Sequence, residues 1–330
     1  MRVRGRLLAA GLILAGSTVA GAQAAAQAQP QTQAQDVPDG YKEVLQYLAR
    51  KGDFAANVLK VNVPRSDLSV SVAGVATPTP FGFGGWVAMT KGEGGNEVLM
   101  GDLVLLQEEV NPVMSALLEN GIDVTALHNH FFWDEPRVFF MHVHGYGKAM
   151  DLAHHVKPGL DLIGHVGKTP AGNSSAAEIG GKLDVEKIAA IVGHKGDQTG
   201  AVYKITVGRN DLNMKEHGAT INARMGLNTW AAFYGSNENA VVAGDVAMLE
   251  REVVPVLKAL RKNGIEVVAI HHHMIATGPT IIFLHYWGKG PAEKLASGFK
   301  AALDQLGAAP STGVDALKYS QDERRKVETR

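Results

Sequence analysis

The chain carries one domain's worth of sequence twice, and that duplication constrains its fold more than any local pattern does. Lys51-Gly52-Asp53 returns as Lys195-Gly196-Asp197, Arg65-x-Asp67-Leu68 as Arg209-x-Asp211-Leu212, and Trp86 as Trp230, all 144 residues apart. After a one-residue deletion the offset becomes 143, and Gly101–His130 set against Gly244–His273 gives 16 identities in 30 positions. The two copies are expected to fold as units 39–163 and 183–307, joined by a linker at 164–182 rich in Gly, Ser, Asn, Thr and Pro.

Within a unit the hydrophobic pattern changes period. Val44, Leu45 and Leu48 have helical spacing, whereas Leu59-x-Val61-x-Val63 and Leu68-x-Val70-x-Val72 alternate as half-buried strands do. Val87–Thr90 and Glu97–Met100 read as further strands. Val110, Val113, Leu117 and Leu118 then mark one face of a helix that ends at Asn120-Gly121. Pro112, and Pro255 in the second copy, require that helix either to begin near Glu108 or to kink. Strands over Asp123–Phe131 and Val138–Gly145 and a helix near Lys148–Val156 complete the unit. The expected class is α+β, with a mostly antiparallel sheet in each unit and helices packed on it.

The ends read as processing and tether. Arg2, Arg4 and Arg6 precede an apolar run from Leu7 to Val19 and small residues at Ala20-Gly21-Ala22, so residues 1–22 read as a signal peptide. Residues 23–38 are an Ala/Gln-rich flexible tether, and 308–330 a charged tail. The expectation is an exported, soluble protein, periplasmic or secreted, with no integral membrane span after cleavage. Without the three leading arginines, the 32 basic residues become 29 against 33 acidic, a net charge of −4. No basic face is present to hold nucleic acid. The absence of cysteine excludes disulfides, thiolate chemistry and a lipid anchor on cysteine.

Chemistry concentrates on histidine. His128-Asn129-His130 precedes His142-Val143-His144, and His271-His272-His273 precedes His285-Tyr286-Trp287. Residues two apart on a strand share a face. If Trp133–Arg137 is a hairpin loop with Phe132 opposite Val138, His128 falls opposite His142. A loop at Ala276–Thr280 likewise sets His271 opposite His285. That register gathers His128, His130 and His142 on one face of the first unit, and His271, His273 and His285 on one face of the second. Three neutral imidazoles cap a divalent transition metal and leave positions open for water or substrate. Zinc is the default ion, with manganese, iron, nickel and copper also open. Asp102, Glu109, Asp245 and Glu252 occupy matching places as carboxylate partners, and His144 would enlarge the first cluster. Histidines in a polar strand network that holds no metal are the plain alternative.

Arg65 and Arg209 are candidates for a carboxylate-bearing ligand, although a structural pair with Asp67 or Asp211 is the commoner use of such spacing. Phe81-Gly82-Phe83-Gly84-Gly85-Trp86 reads as a flexible aromatic loop able to cover a site. Neither a Gly-x-Ser-x-Gly elbow nor a His-Glu-x-x-His helix occurs.

Pro64-Arg65-Ser66-Asp67-Leu68, Gly101-Asp102-Leu103, Glu109-Val110-Asn111-Pro112-Val113-Met114 and Gly121–His130, with its Thr-Ala-Leu-His-Asn-His stretch, resemble the LppY/LpqO family of exported bacterial proteins. The family's namesakes look like lipoproteins; this chain has no cysteine to acylate. The resemblance implies a tandem domain of unknown function and brings no catalytic residues. Three readings follow. The first is a protein binding a metal ion or small molecule in a His-lined site in one or both units. The alternatives are a metal-dependent hydrolase using the trio, and a structural envelope protein. Whether the chain is an enzyme, and its oligomeric state, are not legible here.

Overall fold

A computed structural model describes residues 35–166, 175–275 and 278–307. The segments expected as signal peptide and charged tail, residues 23–34 of the expected tether, the middle of the linker and Ala276–Thr277 lie outside the described residues. The fold is α+β, with two similar halves built on mostly antiparallel sheets.

In the first half Gly52–Ala55, Val58–Pro64, Gly84–Lys91, Glu97–Leu106, Val138–Gly147 and Asp123–His128 lie side by side in that order. Each is antiparallel to its neighbour. The second half repeats the order with Asp197–Thr199, Val202–Gly208, Asn228–Gly235, Ala240–Leu249, Ile281–Gly290 and Glu266–His271. Helices Asp39–Leu48, Gln107–Glu119 and Ala149–Leu160 serve the first sheet; Val185–Val192, Glu250–Lys262 and Ala292–Leu303 serve the second. Each proline-bearing helix runs through its Pro112 or Pro255. The carbonyl that loses its donor belongs to exposed Glu108 or Arg251, where water can pair it.

Strand alternation decides what each sheet face meets. Val61, Val63, Val87, Met89, Leu99, Leu103, Met141 and Val143 pack with the first unit's helices, and Ile205, Phe233, Val242, Val246, Leu284 and Tyr286 do so in the second. The opposite faces are turned toward each other. Val104, Phe131 and Phe140 share one cluster with Val241, Ala243 and Trp287, and Ala88 and Met100 share another with Ala247, Met274 and Phe283. The molecule is therefore layered helix, sheet, sheet, helix, with both polar-bearing sheet faces inside. Thr125 Oγ1 donates to His273 O at 2.6 Å and Glu93 N to His217 O at 2.7 Å, and Arg224 pairs with Asp53, all across the halves.

The aromatic segment at Phe81–Trp86 is not the flexible cover its glycines suggested. Phe81 and Phe83 are 0% and 1% exposed. Phe81 meets Trp287 edge-on at 5.9 Å, and Phe83 lies 5.2 Å from Phe131. Two large rings buried between the sheets fasten the segment, and its glycines Gly82, Gly84 and Gly85 line a cleft together with Trp86. The segment between the units also contributes to packing: Ala177 bridges Val75, and Ile179 is buried in the shared core.

Candidate functional site: two histidine trios in one cluster

The edge strands pair with the long strands in a different register from the one a tight hairpin would impose. Ala126 lies opposite His142 and His128 opposite Phe140; Ala269 lies opposite His285 and His271 opposite Phe283. The connection is no simple hairpin. Phe131 folds into the shared core, and Asp134–Glu135 pairs with Ser71–Val72 in a separate small sheet. A slip of two residues keeps every side chain on its face, so His128, His130 and His142 still point the same way.

That way is toward the other half. The trios meet in one cluster at the centre of the molecule. His128 stacks on His271 at 3.7 Å between ring centroids, His130 on His285 at 3.5 Å, and His142 lies 3.8 Å from His273. His130 lies flat on Phe140 at 3.3 Å and His273 on Phe283 at 3.4 Å, which holds both rings in place. The arrangement is pseudo-symmetric and exchanged, each unit offering one histidine to the pair from the other. Ligand atoms of His128, His271 and His285 lie within 4.8 Å of one another, as do those of His142, His271 and His273, and of Asp245, His273 and His285.

Backbone contacts define two of the rings. His142 Nδ1 lies 3.2 Å from Gly101 O, and His285 Nδ1 3.2 Å from Gly244 O. A carbonyl can only accept, so each Nδ1 carries the proton and each Nε2 presents a lone pair to the cluster. This is how a protein orients a metal-ligating imidazole. His128 Nε2 is 3.1 Å from His285 Nε2, a hydrogen-bond distance if His128 carries the proton. It also suits two ligand nitrogens on one ion, which at metal–nitrogen distances of about 2.0–2.1 Å sit roughly 3–3.4 Å apart.

Seven of the other ring nitrogens are left without partners. Nδ1 of His128, both nitrogens of His130 and of His271, and Nε2 of His142 and His273 are buried and accept or donate no hydrogen bond. Burial keeps the rings neutral. Desolvation pushes His142 and His285 down to about 3 against the opposing effect of their carbonyl contacts. It also lowers His128, His130, His271 and His273, with repulsion between neighbouring rings adding to it. Neutral imidazoles with unshared lone pairs converging on one volume fit a divalent transition ion.

Asp102 and Asp245 stand beside the cluster, cross-strand from His142 and His285. Burial pushes the Asp102 carboxyl up to about 7, although Lys60 and Lys204 pull the other way. It raises Asp245 well above the carboxylate range, with Asp102 adding repulsion. Asp245 Oδ2 lies 3.5 Å from His273 Nε2, and Asp102 Oδ1 is buried without a partner. A cleft of about 1030 Å³ opens onto His130, His273 and both aspartates, walled by Lys60 with Trp86 and by Lys204 with Trp230.

Other candidates are placed elsewhere. Arg65 is 1% exposed, and its five N–H groups are consumed by Asp67, Glu109 and Val104 O at 2.6 to 3.1 Å. Glu109 also accepts from the amides of Leu106 and Gly164. Arg209, Asp211 and Glu252 reproduce the set in the second unit. These groups pin the start of a helix to the sheet and have no capacity left for a ligand. His144 Nε2 lies 2.8 Å from Glu216 Oε1, away from the cluster, while Trp287 at the matching place packs in the shared core. Sequence reasoning missed Lys60 and Lys204. Their signal was available: a lysine at the same place in both copies, among Leu59, Val61 and Val63 or Tyr203 and Ile205, must face away from the helices.

A family model described as "Domain of Unknown Function (DUF1259)" matches residues 42–162 and 186–305, one segment in each half. No curated protein matches. Among solved structures, EtuB from Clostridium kluyveri matches at 7% identity over 76% of this chain and 88% of its own, with a TM-score of 0.18. The trimeric bacterial microcompartment shell protein PduB matches at 10% identity over 79% and 94%, also with a TM-score of 0.18. Those scores are too low to carry a structural argument.

Proposed function

We propose that this chain, which belongs to the family described as Domain of Unknown Function (DUF1259), binds a divalent transition metal in a single composite centre between its two halves. The observation that carries the reading is the set of buried, unpartnered ring nitrogens of His128, His130, His142, His271 and His273, converging from both halves. Leaving such groups unpaired costs about 1–3 kcal/mol each, and ligation to one or more ions would remove that cost. His285 completes the set, with its Nε2 aimed inward by the Gly244 carbonyl. Asp102 and Asp245 are the nearest carboxylates to join it. Zinc is the default ion for imidazole ligation, and manganese, iron, nickel and copper are tested beside it.

Because the trios are pooled, the two halves cannot load independently. Elemental analysis of protein made without a histidine tag and refolded with each metal tests the reading. We expect at least one equivalent per chain, and His271→Ala, which takes a ligand from two of the three donor groups and leaves only Asp245, His273 and His285 intact, should lower loading to less than half. Less than about a tenth of an equivalent with every metal would sink the proposal, since nanomolar to micromolar sites fill under such conditions.

A second reading, metal-dependent hydrolysis, is favoured by one observation: the cleft reaches His273, Asp102 and Asp245. A bound divalent ion supplies a polarised water at neutral pH. Asp102, held near 7 by burial, would be placed to exchange a proton there. The LppY/LpqO-like motifs, with the leader-like residues 1–22, support an exported setting for either activity.

A further inference from the structure

The cleft beside the histidine cluster is built with the same pseudo-symmetry as the cluster itself. Lys60 Nζ sits 4.3 Å from the centre of the Trp86 ring, and Lys204 Nζ sits 3.8 Å from that of Trp230. Both lysines extend from the sheet faces that meet at the centre, and Trp86 and Trp230 lie directly across the sheet from Asp102 and Asp245. Neither ammonium makes a hydrogen bond or a close ion pair among the described residues. They are near enough to repel each other: burial first, and then Lys204, pull Lys60 down to about 7. Burial likewise draws Lys204 down to about 8, against attraction from Asp102 and Asp245.

Two half-buried lysines that repel each other in one cleft, with no carboxylate bonded to either, favour an anion between them. Asp102 attracts both, yet bonds neither. Charge counting sharpens the point. The six imidazoles are neutral, and even if Asp102 and Asp245 were both ionised, against the effect of their burial, Lys60 and Lys204 would balance them. Each divalent ion then leaves an excess of two positive charges at the bottom of the cleft. Arg50 and Lys51 line the adjoining mouth beside Pro80 and Gly82, while Glu186 and Asp197 stand with Lys195 and Arg224 around the other, so the cationic excess is confined to the floor of the cleft.

We propose that Lys60 and Lys204 form a paired-ammonium cradle for a small dianion, a dicarboxylate or phosphate-bearing molecule whose oxyanion lies between the two tryptophans and faces the metal centre. This rests on the metal reading for its charge balance, and it names the ligand class that reading leaves open. The lysines supply charge and hydrogen bonds without competing for the metal, because an ammonium has no lone pair to donate. The tryptophan faces, already carrying the lysines, keep the ammonium groups extended and exclude water from one side of each.

The test is titration of the full chain, metal-loaded and metal-free, with malonate and separately with inorganic phosphate, read by tryptophan fluorescence and calorimetry. The metal-loaded wild type should bind at least one of the two saturably. Lys60→Met/Lys204→Met should weaken that binding at least tenfold while metal content stays at the wild-type value. Lys60→Arg, which keeps the charge, should retain most of it. Should the double variant fail to fold, Lys60→Met alone is expected to show the same direction. Malonate binding without phosphate binding, or the reverse, would identify which oxyanion the cradle takes. A loaded protein that binds neither anion, or binds equally well without the lysines, would overturn the cradle and leave the metal reading standing. Anion binding that depends on the lysines in a chain that takes up no metal would keep the cradle and overturn the metal reading. Neither anion nor metal bound would overturn both.

Discussion

A buried histidine has to settle where each ring nitrogen goes, and at this centre most go nowhere within the protein. His142 and His285 are the two with a defined tautomer, and both owe it to a glycine carbonyl on the neighbouring strand. Their lowered affinity for protons sets the direction of pH dependence. In the unfolded chain each titrates near 6.5, and in the folded one near 3. Between those values the unfolded state binds more protons, so stability must fall as pH drops from 6.5 toward 3. Asp102, raised to about 7, works the opposite way between its unfolded value of 3.8 and 7. Six lowered imidazoles outweigh two raised carboxylates. Urea midpoints of metal-free protein should therefore fall by several kcal/mol in stability on going from pH 7 to pH 4.5; a flat profile would mean that the rings are solvated. The Arg65 network makes a separate residue-scale prediction. Arg65→Met strands Glu109 and Asp67 and should cost about 3–5 kcal/mol in urea denaturation. Metal content should not change, because nothing in that network touches the cluster.

At the scale of elements, the long central strands do most of the positioning. Glycine at Gly101 and Gly244 lets the neighbouring strands and side chains close in over the sheet. A Cβ on Gly244 would stand 2.0 Å from Trp230 O and 2.2 Å from Tyr286 Oη, while one on Gly101 would meet Val87 and Val143 methyls at 2.8 Å and Trp86 O at 2.9 Å. Gly244→Ala is expected to destabilise by about 2 kcal/mol or more, and Gly101→Ala by less, as overpacking usually does. Because the Gly244 carbonyl orients His285, the same variant should weaken metal affinity, measured by competition with a chromophoric chelator. Unchanged affinity would detach the carbonyl from the ligand's orientation. The edge strands show how much of this was legible beforehand. Alternation placed His128 with His130 and His271 with His273 on shared faces, and that parity is the structure's. The register differs by two residues in both units, and in both the residue after the His-x-His, Phe131 or Met274, leaves the strand for the packing between the sheets. Nothing local to the hairpin announces that pull.

For the whole molecule, the decisive fact is that each half supplies the other's cover. Val104, Phe131 and Phe140 of the first half and Val241, Ala243 and Trp287 of the second would face water if the halves were parted. An isolated first half, residues 35–166, should therefore self-associate through that face or precipitate. Light scattering on a size-exclusion column checks this, and a stable monomer would contradict the shared core. Among the described residues no helix is long and apolar enough to cross a membrane. The sequence by itself determined the duplication, the α+β class, the period of each strand and the side of the sheet on which each histidine lies. These depend on near neighbours and on repeats of the same pattern. Only the tertiary structure decided that the two histidine faces look at each other, so that two trios became one cluster flanked by Lys60 and Lys204. Alternation specifies which face a residue occupies, but what covers that face is contact between residues more than 130 places apart, as His142 with His273 and His130 with His285. Its physical cause is burial of two half-apolar sheets against one another, and no window along the chain contains it.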